Sequence, residues 1–236
     1  MTKIYGLMVI KNEADRYLNS CLKWASSFLD EIYVHDDRSS DDSVSIASNY
    51  ATVTVRPEES YSFLDNESAF RSEAWKSFED LASPSEDDWV LAFDADEFLY
   101  SPYSVRNSLL ECIELGANSF VVNFLEVFGY DSDSLSIRVD PYWNSICSPR
   151  FFRFQGNASW PNSVMGCGSE PLYARSNPAI QDHVTMLHFG YAKEKDRLEK
   201  YNRYISRPGH SSSHIKSILS EGKYELYPNV VGLDVD

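Results

Sequence analysis

The sequence predicts an α/β protein built on a mostly parallel central sheet flanked by helices. Two observations carry that expectation. Residues 1–100 alternate strand-like and helix-like patterns in the order β-α-β-α-β-α-β, the signature of a parallel sheet covered on both faces. Within them, Trp89, Val90, Leu91, Ala92 and Phe93 form an apolar run with no polar alternation, as expected of a strand buried on both sides. The chain has 236 residues, of which 43% are hydrophobic, so it can bury a sizeable core.

Each element follows from its own pattern. Residues 3–10 (KIYGLMVI) read as the first buried strand. Apolar positions then recur at Ala14, Leu18, Cys21, Leu22, Ala25, Phe28 and Leu29, which is helical spacing. A strand at 31–35 (EIYVH) leads into the turn-rich DDRSSDD at 36–42. Val44 and Ala47 open another helix, and 52–55 (TVTV) make a third strand. Asn66 is placed to cap a helix that buries Phe70, Ala74, Phe78 and Leu81 and that Pro84 ends. After the WVLAF strand and the acids at its end, Val105, Leu109, Cys112 and Ile113 mark a helix stopped at Gly116. Residues 119–125 (SFVVNFL) are strand-like. From 126 to 180 the pattern loosens into short apolar runs, such as 151–154 (FFRF), among Gly, Pro, Asn and Trp. That is the character of a loop-rich, ligand-facing half. A last strand-like run at 182–191 precedes a charged helix at 193–206. The tail from Arg207 holds Pro208-Gly209 and a short helix capped by a serine at Ser211–Ser213.

Composition narrows the function. The net charge is −15, from 36 acidic against 21 basic residues, and such a field disfavours duplex nucleic acid as a partner. Cys21, Cys112, Cys147 and Cys167 are widely spaced with no CxxC pair, which argues against a zinc site and for reduced core thiols. No apolar stretch approaches the roughly 20 residues that span a bilayer. Met1 leads straight into a strand-like segment rather than a secretion signal. A cytoplasmic protein without a transmembrane anchor is expected.

Four groups of residues carry candidate chemistry. Asp94, Asp96 and Glu97 end the buried strand, where ligands bind in open α/β sheets. Carboxylates there suit a hard divalent ion, and the plainer alternative is a helix N-terminus favouring acids. Asp36 and Asp37 follow another strand and could accept hydrogen bonds from a ribose or base, or form a solvated Asp/Ser turn. An EF-hand is excluded, because its sixth and twelfth positions would be Asp41 and Ala47. His188 is a metal or phosphate ligand or a satisfied core histidine. Beyond it Lys193, Lys195 and Arg197 face a diphosphate or solvent. Arg71 reaches a phosphate or Asp94, or pairs with Glu67 four residues earlier.

Together these residues resemble a family 2-type glycosyltransferase with the GT-A nucleotide-sugar-binding fold. The resemblance rests on order: Lys11-Asn12-Glu13 after the first strand, DEIYVHDDRSSDDSVSIA at 30–47, Phe70-Arg71-Ser72-Glu73-Ala74, the DxD-type DADE, and HFGYAKEKDR at 188–197. It is fullest over 3–100, thins over 101–180 and returns over 182–206. Two departures stand out. Arg38 follows the paired aspartates where the family usually has Gly, and the late acidic motif that commonly carries the base has no clear counterpart.

The resemblance implies a catalytic domain over 1–206, with a nucleotide-sugar-binding half (1–100) and an acceptor half (101–206), followed by an extension over 207–236. It implies Mn²⁺ or Mg²⁺ held by Asp96, Asp94 and His188, clamping the diphosphate of a UDP- or GDP-sugar. Lys11, Glu13, Asp36, Asp37, Arg71, Asp94 and Lys193 would bind the donor. Glu170, in GCGSEP at 166–171, is the candidate base by position, with Glu97 and Glu126 as rivals; direct attack by an acceptor hydroxyl inverts the anomeric centre. Trp143, Trp160, Tyr130 and Tyr173 are available to stack on sugars or to fill the core. Lipid-linked sugar, protein, small molecule and modified nucleobase are all compatible acceptors. A nucleotidyltransferase would need a Gly-rich loop where Lys11-Asn12-Glu13-Ala14 stands, and a nucleotide-sugar-binding module without turnover is the non-enzymatic alternative.

Overall fold

A computed structural model describes residues 2–57, 63–100, 104–143, 146–162, 168–176, 178–206 and 212–231. Its strands are β1 (Ile4–Ile10), β2 (Glu31–Asp36), β3 (Thr52–Val55), β4 (Trp89–Ala92), β5 (Glu97–Tyr100), β6 (Ser119–Tyr130), β7 (Ser134–Arg138), β8 (Cys147–Arg153), β9 (Ala179–His188) and β10 (Tyr224–Pro228). The helices are α1 (Leu18–Ala25), α2 (Ser43–Ala47), α3 (Glu67–Ala82), α4 (Val105–Glu114), α5 (Glu194–Ile205) and α6 (Ser212–Ile218).

The strands form a sheet in the order β10-β7-β6-β8-β4-β1-β2-β3, with β9 paired to β6 and β5. Pairing is parallel between β1 and β2, β1 and β4, β2 and β3, and β6 and β9. It is antiparallel between β4 and β8, β6 and β8, β6 and β7, β7 and β10, and β5 and β9. The expectation of a mostly parallel sheet is therefore corrected: the sheet is largely antiparallel. The cause lies in residues 126–180, expected to be loop-rich. They carry the end of β6, all of β7 and β8, and the start of β9. A short turn at Asp131, whose carboxylate accepts from Asp133 N and Ser134 N, joins β6 to β7, and such a hairpin enforces antiparallel pairing.

Alternation along β1 and β4 explains the two cores. Ile4, Met8, Ile10, Trp89 and Leu91 face Leu18, Cys21, Leu22 and Ala25 of α1. Tyr5, Leu7, Val90 and Ala92 face Trp75 and Phe78 of α3, closed by Phe152, Phe154 and Trp160. Gly6 allows the close approach on the first face, since a Cβ there would come within 2.7 Å of Leu29 Cδ1.

The Asn66 side chain accepts from Ala69 N at 3.1 Å, so α3 starts where its cap predicts. Leu81 is 52% exposed, not buried: it keeps the helical phase of Phe70, Ala74 and Phe78 but falls on the last turn of α3. α4 ends before Gly116, which has φ +73°. The sequence anticipates α6 but not β10, which adds a strand beside β7. The expected cap at Ser211 and the Arg207–Gly209 segment lie outside the described residues. Cys21 and Cys112 are buried free thiols, Cys147 is exposed, and Cys167 lies outside the described residues. No helix among the described residues is long and apolar enough to cross a membrane.

Candidate functional site

β4 ends at Ala92, and the chain turns through Asp94-Ala95-Asp96 directly into β5. The helix N-terminus reading of these acids is therefore corrected: Glu97 opens a strand. The turn is closed twice. Glu97 N donates to Asp94 O at 3.0 Å, and Asp94 N donates to Glu97 Oε2 at 3.0 Å. Phe189 N donates to Asp96 O at 2.8 Å, which ties the turn to the end of β9.

Sheet register assembles the rest. His188 sits opposite Glu97 across the β5–β9 pair and opposite Glu126 across the β6–β9 pair. His188 Nδ1 lies 2.6 Å from Glu126 Oε2, and Nε2 lies 3.6 Å from Asp96 Oδ2. Lys200 Nζ reaches in from α5, 3.1 Å from His188 Nε2 and 3.8 Å from Asp96 Oδ2. On the other side Arg150 Nη2 holds Glu97 Oε1 at 2.6 Å and lies 3.9 Å from Asp94 Oδ2. Asp94 is the open member, with a side chain 39% exposed.

The electrostatics follow from burial against charge. Burial alone would raise Asp96, but His188 and Lys200 outweigh it and hold the carboxyl well below the usual range. For His188, burial works against the charged ring, yet Glu126 and Asp96 push it up to about 10. Burial, opposed by Arg150 and reinforced by Asp94, pushes Glu97 up to about 7. Burial also pushes Glu13 up to about 7, opposed by Arg16 and reinforced by Asp96 and Asp94, so Glu13 lies close to the same cluster.

The DDRSSDD turn forms the neighbouring wall, and its side chains are spent on backbone. Asp36 accepts from Ser39 N at 2.8 Å and from Ser39 Oγ. Ser39 Oγ accepts from Asn12 N at 2.8 Å, Ser43 Oγ from Glu13 N at 2.7 Å, and Asp41 Oδ2 from Ala14 N at 3.1 Å. Ser40 N donates back to Asn12 Oδ1 at 2.8 Å. The loops after β1 and β2 are thus sewn together. Asp37 is held by Lys11 Nζ at 3.2 Å, Arg56 Nη1 at 3.3 Å and Phe63 N at 3.0 Å. Arg38 has φ +60°, the left-handed region where glycine is comfortable, so the departure from the family's Gly falls on a position that wants one.

Other expected residues sit elsewhere or are already engaged. Arg71 Nε donates to Glu67 Oε1 at 2.9 Å, so the i−4 pair forms, but buried rather than at the surface. Lys193 Nζ lies over the Tyr17 ring at 5.4 Å. Lys195 is exposed beside Asp15, and Arg197 Nη1 donates to Phe128 O, Tyr191 O and Ala192 O. Glu170 Oε1 is 2.9 Å from Arg175 Nη2, and Oε2 accepts from Ser148 Oγ at 3.2 Å. It borders an open pocket of about 480 Å³ lined also by Cys147, Pro149 and Pro178. Trp143 and Trp160 are core residues, Tyr130 packs on Phe189, and Tyr173 OH donates to Arg153 O at 2.9 Å.

The residues do not fit a divalent cation as expected. Among the described residues, no three His, Cys, Asp or Glu side chains group to hold a metal ion. Asp96 and His188 face each other, but Asp94 turns toward Arg150 and the Lys200 ammonium stands against both remaining ligands. A hard ion needs several oxygen ligands and is repelled by an ammonium at such range.

Lys200 and Arg150 are the residues that sequence reasoning missed. For Lys200 a signal existed: α5 buries Asp196 and Lys200, one turn apart, while Leu198 and Ile205 face out. A helix so poor in apolar residues has to pack through its charged face. Arg150 lies in a strand that the loosened pattern concealed.

No family model matches the chain, and no curated protein sequence does. Solved structures give a partial likeness. A glucosyl-3-phosphoglycerate synthase from Mycobacterium tuberculosis, in complex with Mn²⁺, uridine-diphosphate and glucosyl-3-phosphoglycerate, has a TM-score of 0.35 and 21% identity over 53% of this chain and 44% of that one. A mannosyl-3-phosphoglycerate synthase from Rubrobacter xylanophilus has a TM-score of 0.37 and 18% identity over 53% of this chain and 41% of that one. The chain therefore spans less than half the length of either structure. At these values the likeness decides nothing about chemistry, which has to be read from the chain's own residues.

Proposed function

We propose that the chain transfers a glycosyl group from a UDP- or GDP-sugar to an acceptor hydroxyl with inversion. One observation carries the reading: acids and cations from the carboxyl ends of the adjacent parallel strands β1, β2 and β4 meet at one edge of the sheet, where open α/β sheets bind their ligands. In a chain of net charge −15, Lys11 and Arg150 gather there, as a departing diphosphate requires.

The roles follow from accessibility. The sewn loops after β1 and β2 form a preorganised wall for the nucleoside, with Lys11 at its rim. Glu13, titrating at about 7, can donate or accept toward a ribose hydroxyl. Asp94, the exposed acid of the turn, accepts from a sugar hydroxyl. Glu170 takes the acceptor's proton. The acceptor oxygen bonds to the anomeric carbon from the opposite face while the bond to the diphosphate oxygen breaks and its electron pair leaves with the phosphate. Arg150 faces both sides, since it pairs with Glu97 and Asp94 and feels the charge of Glu170.

A second reading, a nucleotide-sugar-binding module without turnover, is favoured by one observation: Glu170, Glu97 and Glu126 are each already paired with Arg175, Arg150 and His188. The deciding experiment measures melting temperature and nucleoside-diphosphate release with UDP- and GDP-sugars over a panel of acceptors. Transfer that Glu170→Gln abolishes while donor binding persists is the expected result. Binding without turnover selects the module, and no response to any nucleotide sugar sinks both readings.

A further inference from the structure

The cluster holds one cation that the mechanism above leaves unused. The Lys200 side chain is 10% exposed, delivered by a helix that turns its charged face inward. Its ammonium lies 3.8 Å from Asp96 Oδ2 and 4.4 Å from the centroid of the Tyr191 ring, and it stands 3.1 Å from His188 Nε2, with which it shares the Asp96 carboxylate. Gly190 makes the space, because a Cβ there would collide with Lys200 Nζ and come within 2.5 Å of His188 Nε2. The bare backbone at 190 and the inverted face of α5 are separate features that converge on the same point.

We propose that the Lys200 ammonium takes both the place and the work of a divalent cation: it neutralises Asp96 in the free protein and binds the donor's diphosphate in the loaded one, so nucleoside-diphosphate binding needs no metal. The inference deepens the glycosyl-transfer reading and rests on it. A lysine ammonium is an effective point-charge partner for phosphate oxygens. A divalent ion seated between Asp96 and His188 would have to expel that ammonium or sit against it in a water-poor site, where like charges repel strongly. Arg16 adds to the cationic side, held by Asp196 Oδ1 at 3.3 Å on the same inward face of α5.

Two measurements on the full chain test this. Wild-type protein is titrated with MnCl₂ while the free-ion paramagnetic resonance signal is followed. UDP and GDP binding is then measured by calorimetry, once in EDTA and once in MnCl₂. The expected results are no stoichiometric Mn²⁺ uptake and equal nucleotide affinity in the two media. Lys200→Gln should weaken binding in EDTA about tenfold or more, and Lys200→Arg should restore part of it. Stoichiometric Mn²⁺ uptake by the wild type, or nucleotide binding only with Mn²⁺, overturns the inference and leaves the glycosyl-transfer reading standing. If neither nucleotide binds in either medium, that reading fails, and the Mn²⁺ titration alone judges whether Lys200 holds the cation's place. The wild-type measurements decide even if Lys200→Gln does not fold.

Discussion

Two acid-rich turns flank the end of β1 at the carboxyl edge of the sheet, one after β2 and one after β4, and they satisfy most of their carboxylates in different ways. After β2, Asp36 and Asp41 accept from backbone amides of their own and the adjacent loop, and Asp37 is locked by the buried Arg56. After β4, Asp94, Asp96 and Glu97 are balanced by long cationic side chains from β8, β9 and α5. Backbone donors cannot be exchanged without unfolding the loop, whereas a side-chain cation can trade a carboxylate for a phosphate. The first turn is a wall, and in the proposed function the second is the site.

Mutations in the two turns separate wall from site. The largest loss of stability is expected from Asp37→Ala, which strips a partner from Arg56, a side chain with 0% exposure. Removing one member of a buried pair costs about 3–5 kcal/mol, read as a lower midpoint in urea unfolding. Ser43→Ala removes the acceptor of Glu13 N and should cost about 1–2 kcal/mol. If either change leaves the midpoint untouched, the sewn loops are not the scaffold described.

Glu13→Gln tests the border between the turns through pH. Glu13 titrates at about 7 in the fold against 4.5 ordinarily, so the folded state binds its proton more tightly than the unfolded one. Wild-type stability therefore falls as pH rises from about 4.5 to 7 and stays lowered above that. The Gln variant should match the wild type near pH 4 and exceed it by up to about 3 kcal/mol near pH 8 in thermal melts. The smallest stability effect belongs to Asp94→Asn, under about 0.5 kcal/mol for this exposed side chain. It should nevertheless abolish the melting-temperature gain from the donor sugar. A large destabilisation with intact donor response would assign Asp94 to the wall instead.

The legible part of the molecule is the part where one strand or helix announces itself locally. β1, β2 and β4 carry dense apolar runs, β3 a β-branched Thr-Val repeat, and Asn66 and Gly116 mark ends that the chain obeys. The candidate site is half legible for the same reason: three acids directly after a buried strand need partners, whether from the fold or from a ligand. What escaped depends on partners far along the chain. Arg150 lies in a strand whose Pro and Ser neighbours look like loop. Lys200 lies in a helix whose aliphatic residues, Leu198 and Ile205, point outward while Tyr201 and Tyr204 pack against the Trp143 cluster, so a rule that follows the aliphatic residues selects the wrong side. β5 was hidden because Glu97 is both the last acid of the turn and the first residue of a strand. The antiparallel half is hidden because residues 126–180 carry short strands among Gly, Pro and Asn, and β6 itself is irregular between Val127 and Gly129.

The bonds that sew the loops after β1 and β2 join residues 27 to 30 positions apart. Those that balance the second turn join Glu97 to Arg150, 53 positions on, and Asp96 to His188 and Lys200, farther still. Short chain closures form first because they lose less loop entropy. The wall is thus expected to stand early in folding, while the acids of the second turn wait, unbalanced, for β8 and β9 to arrive. Pulse-labelled hydrogen exchange during refolding would register this as protection of the Glu13 and Ala14 amides before that of Phe189, which donates to Asp96 O.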